Sequence, residues 1–82
     1  MTHVLIRQCP ICPAISALTD HLFASFRNDP NVVVMRIPGE LDDFSIEVDG
    51  EMIPTWLSPR FLRSGEDLVA SIRRTISEAV AV

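Results

Sequence analysis

The fold of this chain is decided by Val4-Leu5-Ile6-Arg7-Gln8-Cys9-Pro10-Ile11-Cys12-Pro13. The apolar start of this stretch predicts a short buried strand over residues 3–8, because three adjacent aliphatic residues are too apolar for a strand with one face in water. Pro13 suits the first position of a helix, where a missing backbone N–H costs nothing. The two cysteines, the only ones in the chain, are therefore predicted to lie at a strand-to-helix junction.

The residues after Pro13 predict a helix followed by a second buried strand. Ile15, Leu18, Leu22 and Phe26 recur at spacings of three and four, which is typical of a helix with one apolar face. The helix is expected to end before Pro30, and residues 32–37 form a short β-branched strand. A strand-helix-strand unit of this kind predicts a parallel crossover.

The second half of the chain predicts a hairpin and a closing helix. Two strand-like segments, residues 44–48 and 51–53, flank Asp49-Gly50, and this dipeptide is a strong signal for a tight turn. Ser64 is the expected N-cap of the last helix, whose apolar residues recur every four positions. Arg73 and Arg74 are expected on its solvent side.

These elements predict an α/β fold with the order β-α-β-β-β-α. We expect a mixed four-stranded sheet and two helices, arranged in two or three layers as a minimal thioredoxin-like domain over residues 1–82. The hydrophobic fraction of 48% excludes intrinsic disorder, and no segment approaches the roughly 18 apolar residues of a membrane span. The start of the chain lacks the features of a signal peptide, so a cytoplasmic protein is expected.

The charges argue against nucleic acid as a partner, and the lack of a long apolar segment argues against a membrane. The net charge is −4, and all seven basic residues are arginines that form no stripe interleaved with aromatic residues. Six acids lie within twelve residues that contain no basic residue: Glu40, Asp42, Asp43, Glu47, Asp49 and Glu51. They are interpreted as a solvated hairpin surface, or as a docking surface for a basic partner.

The CxxC segment suggests thiol chemistry. Two thiols separated by two residues can close a disulfide with little backbone movement, and Pro10 restricts the turn between them. Cys12 is placed at a helix N-terminus, where the dipole and unpaired N–H groups lower a thiol pKa. Cys9 is expected to be the more exposed of the two. The spacing leaves open which sulfur attacks first; in thioredoxin and glutaredoxin it is the first cysteine, here Cys9.

Two alternatives to redox chemistry remain open for the cysteines. They are either structural residues or metal ligands, but His3 and His21 are expected to lie too far away to complete a zinc site. A metal shared by two CxxC pairs across a dimer remains an alternative, and no cofactor is expected. Pro54 either ends a strand or is the cis-proline that faces the dithiol in thioredoxin-like proteins, although its position after the hairpin is wrong for that role.

With these elements placed, the chain resembles the selenoprotein W family, also called the Rdx group of thioredoxin-like proteins. The resemblance lies in the CxxC after the first strand and in the hairpin Phe44-Ser45-Ile46-Glu47-Val48-Asp49-Gly50-Glu51-Met52-Ile53. In that family the hairpin reads approximately Phe-Glu-Val-x-Val-x-Gly-Glu/Lys-Leu-Ile/Val. The segment Thr55-Trp56-Leu57-Ser58-Pro59-Arg60-Phe61-Leu62 departs from the family, which has a basic segment and Gly-x-Phe-Pro there.

The resemblance implies a cytoplasmic redox protein with glutathione, protein thiols or thioredoxin-like reductants as partners. Selenium-containing members carry selenocysteine at the second motif position, which makes Cys12 the attacking residue and Cys9 the resolving one. Our hypothesis is therefore a small thiol-disulfide oxidoreductase or redox adaptor, with Pro10, Ile11, Pro13 and Pro54 flanking the dithiol. The alternative is a non-catalytic interaction module that uses the acidic hairpin and Trp56.

Overall fold

The computed structural model describes residues 2–58 and 61–80. Strand β1 (Thr2–Gln8) leads through the CxxC segment into helix α1 (Pro13–Phe26), and β2 (Val32–Pro38) returns parallel to β1. Strands β3 (Phe44–Val48) and β4 (Glu51–Ile53) form a hairpin, and β3 pairs antiparallel with the other side of β1. The resulting order in the sheet is β2-β1-β3-β4, so the predicted mixed four-stranded sheet is confirmed.

Two short strands were not predicted from the sequence. Beyond β4, β5 (Trp56–Ser58) and β6 (Phe61–Leu62) pair antiparallel as a small second sheet, and helix α2 (Gly65–Val80) closes the described chain. The predicted order β-α-β-β-β-α therefore lacks this pair. Pro59 and Arg60, part of the segment that departs from the resembled family, lie outside the described residues.

The helices and the sheet make two layers. Helix α1 packs on β1 and β2, α2 packs on β3 and β4, and the two helices contact each other, so both cover the same face of the sheet. The opposite face is open: Met35 and Met52 are about half exposed there. The apolar residues buried in the core are Val4, Ile6, Cys9, Ile15, Leu22, Phe26, Val32, Phe44, Ile46, Val48, Ile53, Leu68 and Ile72. No helix within residues 2–58 and 61–80 is both long and apolar enough to cross a membrane.

The turn between β3 and β4 has the geometry that its sequence predicts. Asp49 and Gly50 both have positive φ, 49° and 90°, as a two-residue hairpin turn of this hand requires. Asp49 also holds the turn against the start of β1, because its backbone N–H donates to the carbonyl of His3 (2.9 Å) and its Oδ1 accepts the N–H of His3 (2.8 Å). The hairpin is therefore locked in register beside β1.

The start of α2 also follows its sequence signal. The Oγ of Ser64 accepts the backbone N–H of Asp67 at 3.1 Å, which confirms the predicted N-cap. Arg73 is exposed as expected, but it also bridges the two helices. Its guanidinium lies 4.7 Å from the centre of the Phe26 ring and donates to the carbonyl of Ser25 at 3.3 Å. The arginine therefore joins α2 to the end of α1.

Candidate functional site

The two cysteines lie at the junction of β1 and α1, as the sequence predicts. Cys9 follows the last residue of β1, and Cys12 is the N-cap residue of α1 with extended backbone angles (φ −97°, ψ 107°). The carbonyl of Cys12 accepts the backbone N–H of Ser16 at 2.9 Å, which starts the helix ladder. Both cysteines are free, with no disulfide between them. The fold therefore presents a dithiol where a strand ends and a helix begins.

The exposure of the two thiols is the reverse of the prediction. Cys9 is fully buried, whereas Cys12 is only partly buried. The cause is the loop between β2 and β3, which lies against the end of β1. The N–H of Cys9 donates to the carbonyl of Asp43, and the N–H of Gly39 donates to the carbonyl of Gln8, both at 2.7 Å. Cys12 is therefore the more accessible of the two sulfurs.

Residues 39–43, which we call the acidic turn, bring a carboxylate to the accessible sulfur. The Oδ1 atom of Asp42 lies 3.5 Å from the Sγ atom of Cys12, which donates to it. Asp42 has φ 62°, in the left-handed region that aspartate tolerates better than most residues. Asp43 closes the turn, because its Oδ2 accepts the N–H of Glu40 at 2.8 Å and its own N–H donates to the carbonyl of Glu40 at 3.1 Å.

The hydrogen bonds around the sulfurs act on the two thiols in opposite directions. Burial works to raise the pKa of Cys9, but hydrogen bonds from the Cys12 thiol and from the backbone N–H groups of Ile11, Asp42 and Cys12 outweigh it and hold that pKa below its ordinary value. The pKa of Cys12 is raised, first by the hydrogen bond to Cys9 and then by burial, while the carboxylate of Asp42 adds to the effect. The predicted lowering of the Cys12 pKa by the helix N-terminus is therefore wrong.

The dithiol therefore behaves as a coupled pair. The two sulfurs interact directly, so the ionisation steps belong to the pair rather than to either thiol alone. The hydrogen bonds favour the negative charge on Cys9, since they lower the pKa of Cys9 and raise that of Cys12. The buried sulfur is therefore the easier of the two to ionise.

A substitution at Gly39 tests how closely the acidic turn must approach β1. A Cβ at Gly39 would lie 2.7 Å from Cβ of Asp43 and 2.8 Å from Cγ of Arg7, both closer than real Cβ contacts. Gly39→Ala is expected to lower the free energy of unfolding by about 1–3 kcal/mol, because the turn must move away from β1. Urea denaturation followed by circular dichroism measures this loss.

Gly65→Ala is the matched control for that experiment. Its added Cβ would also meet a neighbour, 2.5 Å from Cδ2 of His21, but this atom is at the end of an exposed side chain that can rotate away. Alanine also favours the helix in which Gly65 lies. We expect a change of less than about 1 kcal/mol. Equal losses in the two variants would contradict the close approach of the acidic turn.

Three of the four flanking residues predicted from the sequence lie beside the dithiol, and the fourth lies elsewhere in the fold. Pro10, Ile11 and Pro13 are exposed beside the dithiol, and the side chain of Ile11 is 75% exposed. Pro54 follows β4, which β3 separates from β1, and its carbonyl accepts Nη1 of Arg63 at 2.9 Å. The described peptide bonds, including the one before Pro54, are all trans, so the cis-proline alternative is wrong.

The histidines lie away from the dithiol. His3 is near the start of β1, about 20 Å along the strand from Cys9, and its Nδ1 lies 3.9 Å from Oδ1 of Asp49. His21 lies in α1 beside Gly65. Among the described residues, no group of three or more His, Cys, Asp or Glu side chains is arranged to hold a metal ion.

Three residues at this end of the sheet were not predicted as part of the site. Asp42 contacts Cys12, and the buried Thr55 donates through its Oγ1 to the carbonyl of Phe44 at 2.7 Å, opposite Gln8 in the sheet. Gln8 is itself buried, and its Oε1 has no hydrogen-bond partner within the part of the chain that the structure describes. The position of Asp42 near the dithiol could have been predicted from the order of the strands. The carboxyl ends of parallel strands meet at one edge, so the loop after β2 must lie beside the loop after β1.

The fold is shared with a known protein. The crystal structure of a selenoprotein W-related protein from Vibrio cholerae is similar to this chain with a TM-score of 0.65 and 19% sequence identity, covering 92% of this chain and 96% of that one. No protein-family model matches the chain, and no curated protein matches it in sequence. The chain therefore has the thioredoxin-like fold of selenoprotein W-related proteins, and the predicted fold class is confirmed.

Proposed function

We propose that this protein is a cytoplasmic thiol-disulfide oxidoreductase or redox adaptor that uses the Cys9–Cys12 dithiol. The observation that carries the proposal is the hydrogen-bonded pair of thiols at the strand-to-helix junction, in which the pKa of Cys9 is lowered. A lowered thiol pKa increases the fraction of thiolate at a given pH, and thiolate is the species that attacks disulfides, which suits Cys9 to attack a mixed disulfide on Cys12. The thioredoxin-like fold supports this function by analogy.

The roles of the two cysteines follow from their exposure. Cys12 is the nucleophile because a substrate disulfide can reach its sulfur, and Cys9 is the resolving residue because it is buried beside Cys12. After Cys12 forms a mixed disulfide with the substrate, the thiolate of Cys9 attacks the Cys12 sulfur and closes the intramolecular disulfide. Glutathione, a protein thiol or a thioredoxin-like reductant then restores the dithiol.

The reduction potential of the dithiol tests the function. The protein is equilibrated in glutathione buffers of graded ratio, the thiols are blocked with maleimide, and the reduced and oxidised forms are counted by mass spectrometry. We expect one intramolecular disulfide with a potential between about −270 and about −120 mV, the range of dithiol oxidoreductases. The ultraviolet absorbance of thiolate, followed across pH, should also show one thiolate that forms below the pH at which ordinary cysteine ionises.

The same chain unfolded in urea is the control, because it keeps the CxxC spacing but loses the hydrogen bonds around the sulfurs. A folded potential and thiolate titration equal to those of the unfolded chain would contradict the proposal. Two thiols that titrate like free cysteine and form no disulfide with a mild oxidant would also contradict it, and would leave the non-catalytic interaction module as the better explanation. Zinc bound stoichiometrically to the untagged purified protein would favour the metal-bridged dimer.

A further inference from the structure

The accessible sulfur of the dithiol is in contact with a negatively charged side chain. Oδ1 of Asp42 accepts the hydrogen bond of the Cys12 thiol at 3.5 Å, and Cys12 is the thiol that a substrate can reach. A carboxylate in this position holds the proton on Cys12 and opposes its ionisation. The contact therefore bears directly on the reactivity of Cys12.

The charges around the contact are mainly negative. Glu40 and Asp43 lie in the same acidic turn as Asp42, and the segment Cys9-Pro10-Ile11-Cys12-Pro13 carries no charged residue. Arg7 lies on the β1 side of the turn, with its side-chain stem against Gly39. The carboxylate of Asp43 is engaged with the N–H of Glu40, which leaves Asp42 as the carboxylate directed at the reactive sulfur.

We propose that Asp42 makes this site select disulfides that carry a positive charge close to the sulfur, such as protein disulfides flanked by lysine or arginine. The inference rests on the proposed function and specifies its substrate class. An ammonium or guanidinium group that pairs with Asp42 competes with the Cys12 thiol for the carboxylate and brings the substrate sulfur next to Cys12. An anionic disulfide, such as glutathione disulfide, meets like charge at the same place.

The reaction balances without any further reactant. When the substrate cation pairs with Asp42, the Cys12 proton passes to the Cys9 thiolate, and the Cys12 thiolate attacks the substrate disulfide. A Cys12–substrate S–S bond forms, the substrate S–S bond breaks, and the leaving thiolate takes the proton from Cys9. The Cys9 thiolate then attacks Cys12, and the second substrate thiolate leaves and takes a proton from water. The dithiol is oxidised by two electrons and the substrate disulfide is reduced to two thiols.

Three small disulfides of different charge test the selectivity. Cystamine is cationic, bis(2-hydroxyethyl) disulfide is neutral and dithiodiglycolate is anionic. The rate of oxidation of the reduced protein by each is measured by maleimide trapping and mass spectrometry. Because the three differ in intrinsic reactivity, the quantity compared is the ratio of the cystamine rate to the dithiodiglycolate rate in each variant. The wild-type ratio should also fall with added salt, since the selecting charge is exposed.

Asp42→Asn is the test variant, because asparagine also tolerates left-handed backbone and keeps the N–H of residue 42. We expect the cystamine-to-dithiodiglycolate ratio to fall about threefold to fivefold, the size of one exposed charge contact. Asp42→Gly removes the carboxylate in a residue that adopts this φ freely, and should lower the ratio equally if the asparagine variant folds poorly. Glu40→Gln removes a charge from the same turn and should change the ratio by less than about twofold.

The outcomes separate this inference from the proposed function. An unchanged ratio in Asp42→Asn and Asp42→Gly, with all three disulfides still reacting, would overturn the role of Asp42 and leave the oxidoreductase intact. An equal fall in Glu40→Gln would also overturn it, because the selectivity would then come from the overall charge of the acidic turn. Failure of the wild-type protein to react with any of the three disulfides would reject both the function and the inference.

Discussion

Cys9→Ser should accumulate a mixed disulfide through Cys12 when the reduced protein meets a substrate disulfide, whereas Cys12→Ser should lose essentially all disulfide reduction. The reason is geometric. Cys12 is the partly exposed sulfur, and Cys9 is fully buried behind it, so removal of Cys9 leaves the attack in place but removes the resolving step. Incubation with a small disulfide, acid quenching and peptide mass spectrometry identifies which sulfur carries the adduct.

The pair of variants is its own control, because each loses one sulfur from the same junction. Circular dichroism should show both folded, since serine differs from cysteine by one atom at each position. Neither substitution is expected to perturb the helix start, where the backbone carbonyl of residue 12 makes the bond to Ser16. An adduct on Cys9 in Cys12→Ser, with none on Cys12 in Cys9→Ser, would reverse the roles and match the thioredoxin order instead.

Leu22→Ala should lower the free energy of unfolding by about 2–5 kcal/mol. Leu22 lies in the middle of α1, is fully buried and belongs to the single core cluster of the described residues. Its truncation removes apolar contacts and leaves a cavity that the neighbouring side chains fill only partly. A domain of this size has a total stability near the lower end of the usual range of about 5–15 kcal/mol, so the loss is a large fraction of the total. Urea denaturation measures the loss.

Leu57→Ala is the matched control for Leu22→Ala. It makes the same chemical change in β5, where the side chain is 69% exposed, and is expected to alter stability by no more than about 0.5 kcal/mol. A loss at Leu57 comparable to that at Leu22 would indicate that the β5–β6 pair is covered in solution, for example by a second molecule. A small loss at Leu22 would contradict the packing of α1 on the sheet.

Local patterns account for the part of the fold that could be predicted. Pro13 at the start of α1, Asp49-Gly50 in the turn and Ser64 at the start of α2 each act within a few residues of their own position. Such signals need no knowledge of distant contacts. The parallel pairing of β1 and β2 followed from the strand-helix-strand order, and the structure confirms it.

The features that could not be predicted depend on contacts between distant parts of the chain. The relative exposure of Cys9 and Cys12 is decided by the acidic turn, whose Asp43 carbonyl pairs with Cys9 thirty-four positions away. The proton on Cys12 is likewise held by Asp42, thirty positions along the chain. Strands β5 and β6 have three and two residues, too few for an alternating pattern to identify them.

The position of β2 at the edge of the sheet has a consequence for aggregation. Val32-Val33-Val34-Met35 is an uncharged run with high β propensity, and an edge strand of this kind can pair with a strand of another molecule. Arg36 interrupts the run, and its guanidinium is held in place by Asp20 at 2.7 Å and by the ring of Phe23 at 5.2 Å. Pro38, which has no N–H to donate, ends the strand. Arg36 and Pro38 therefore disfavour the pairing of β2 with a strand of another molecule.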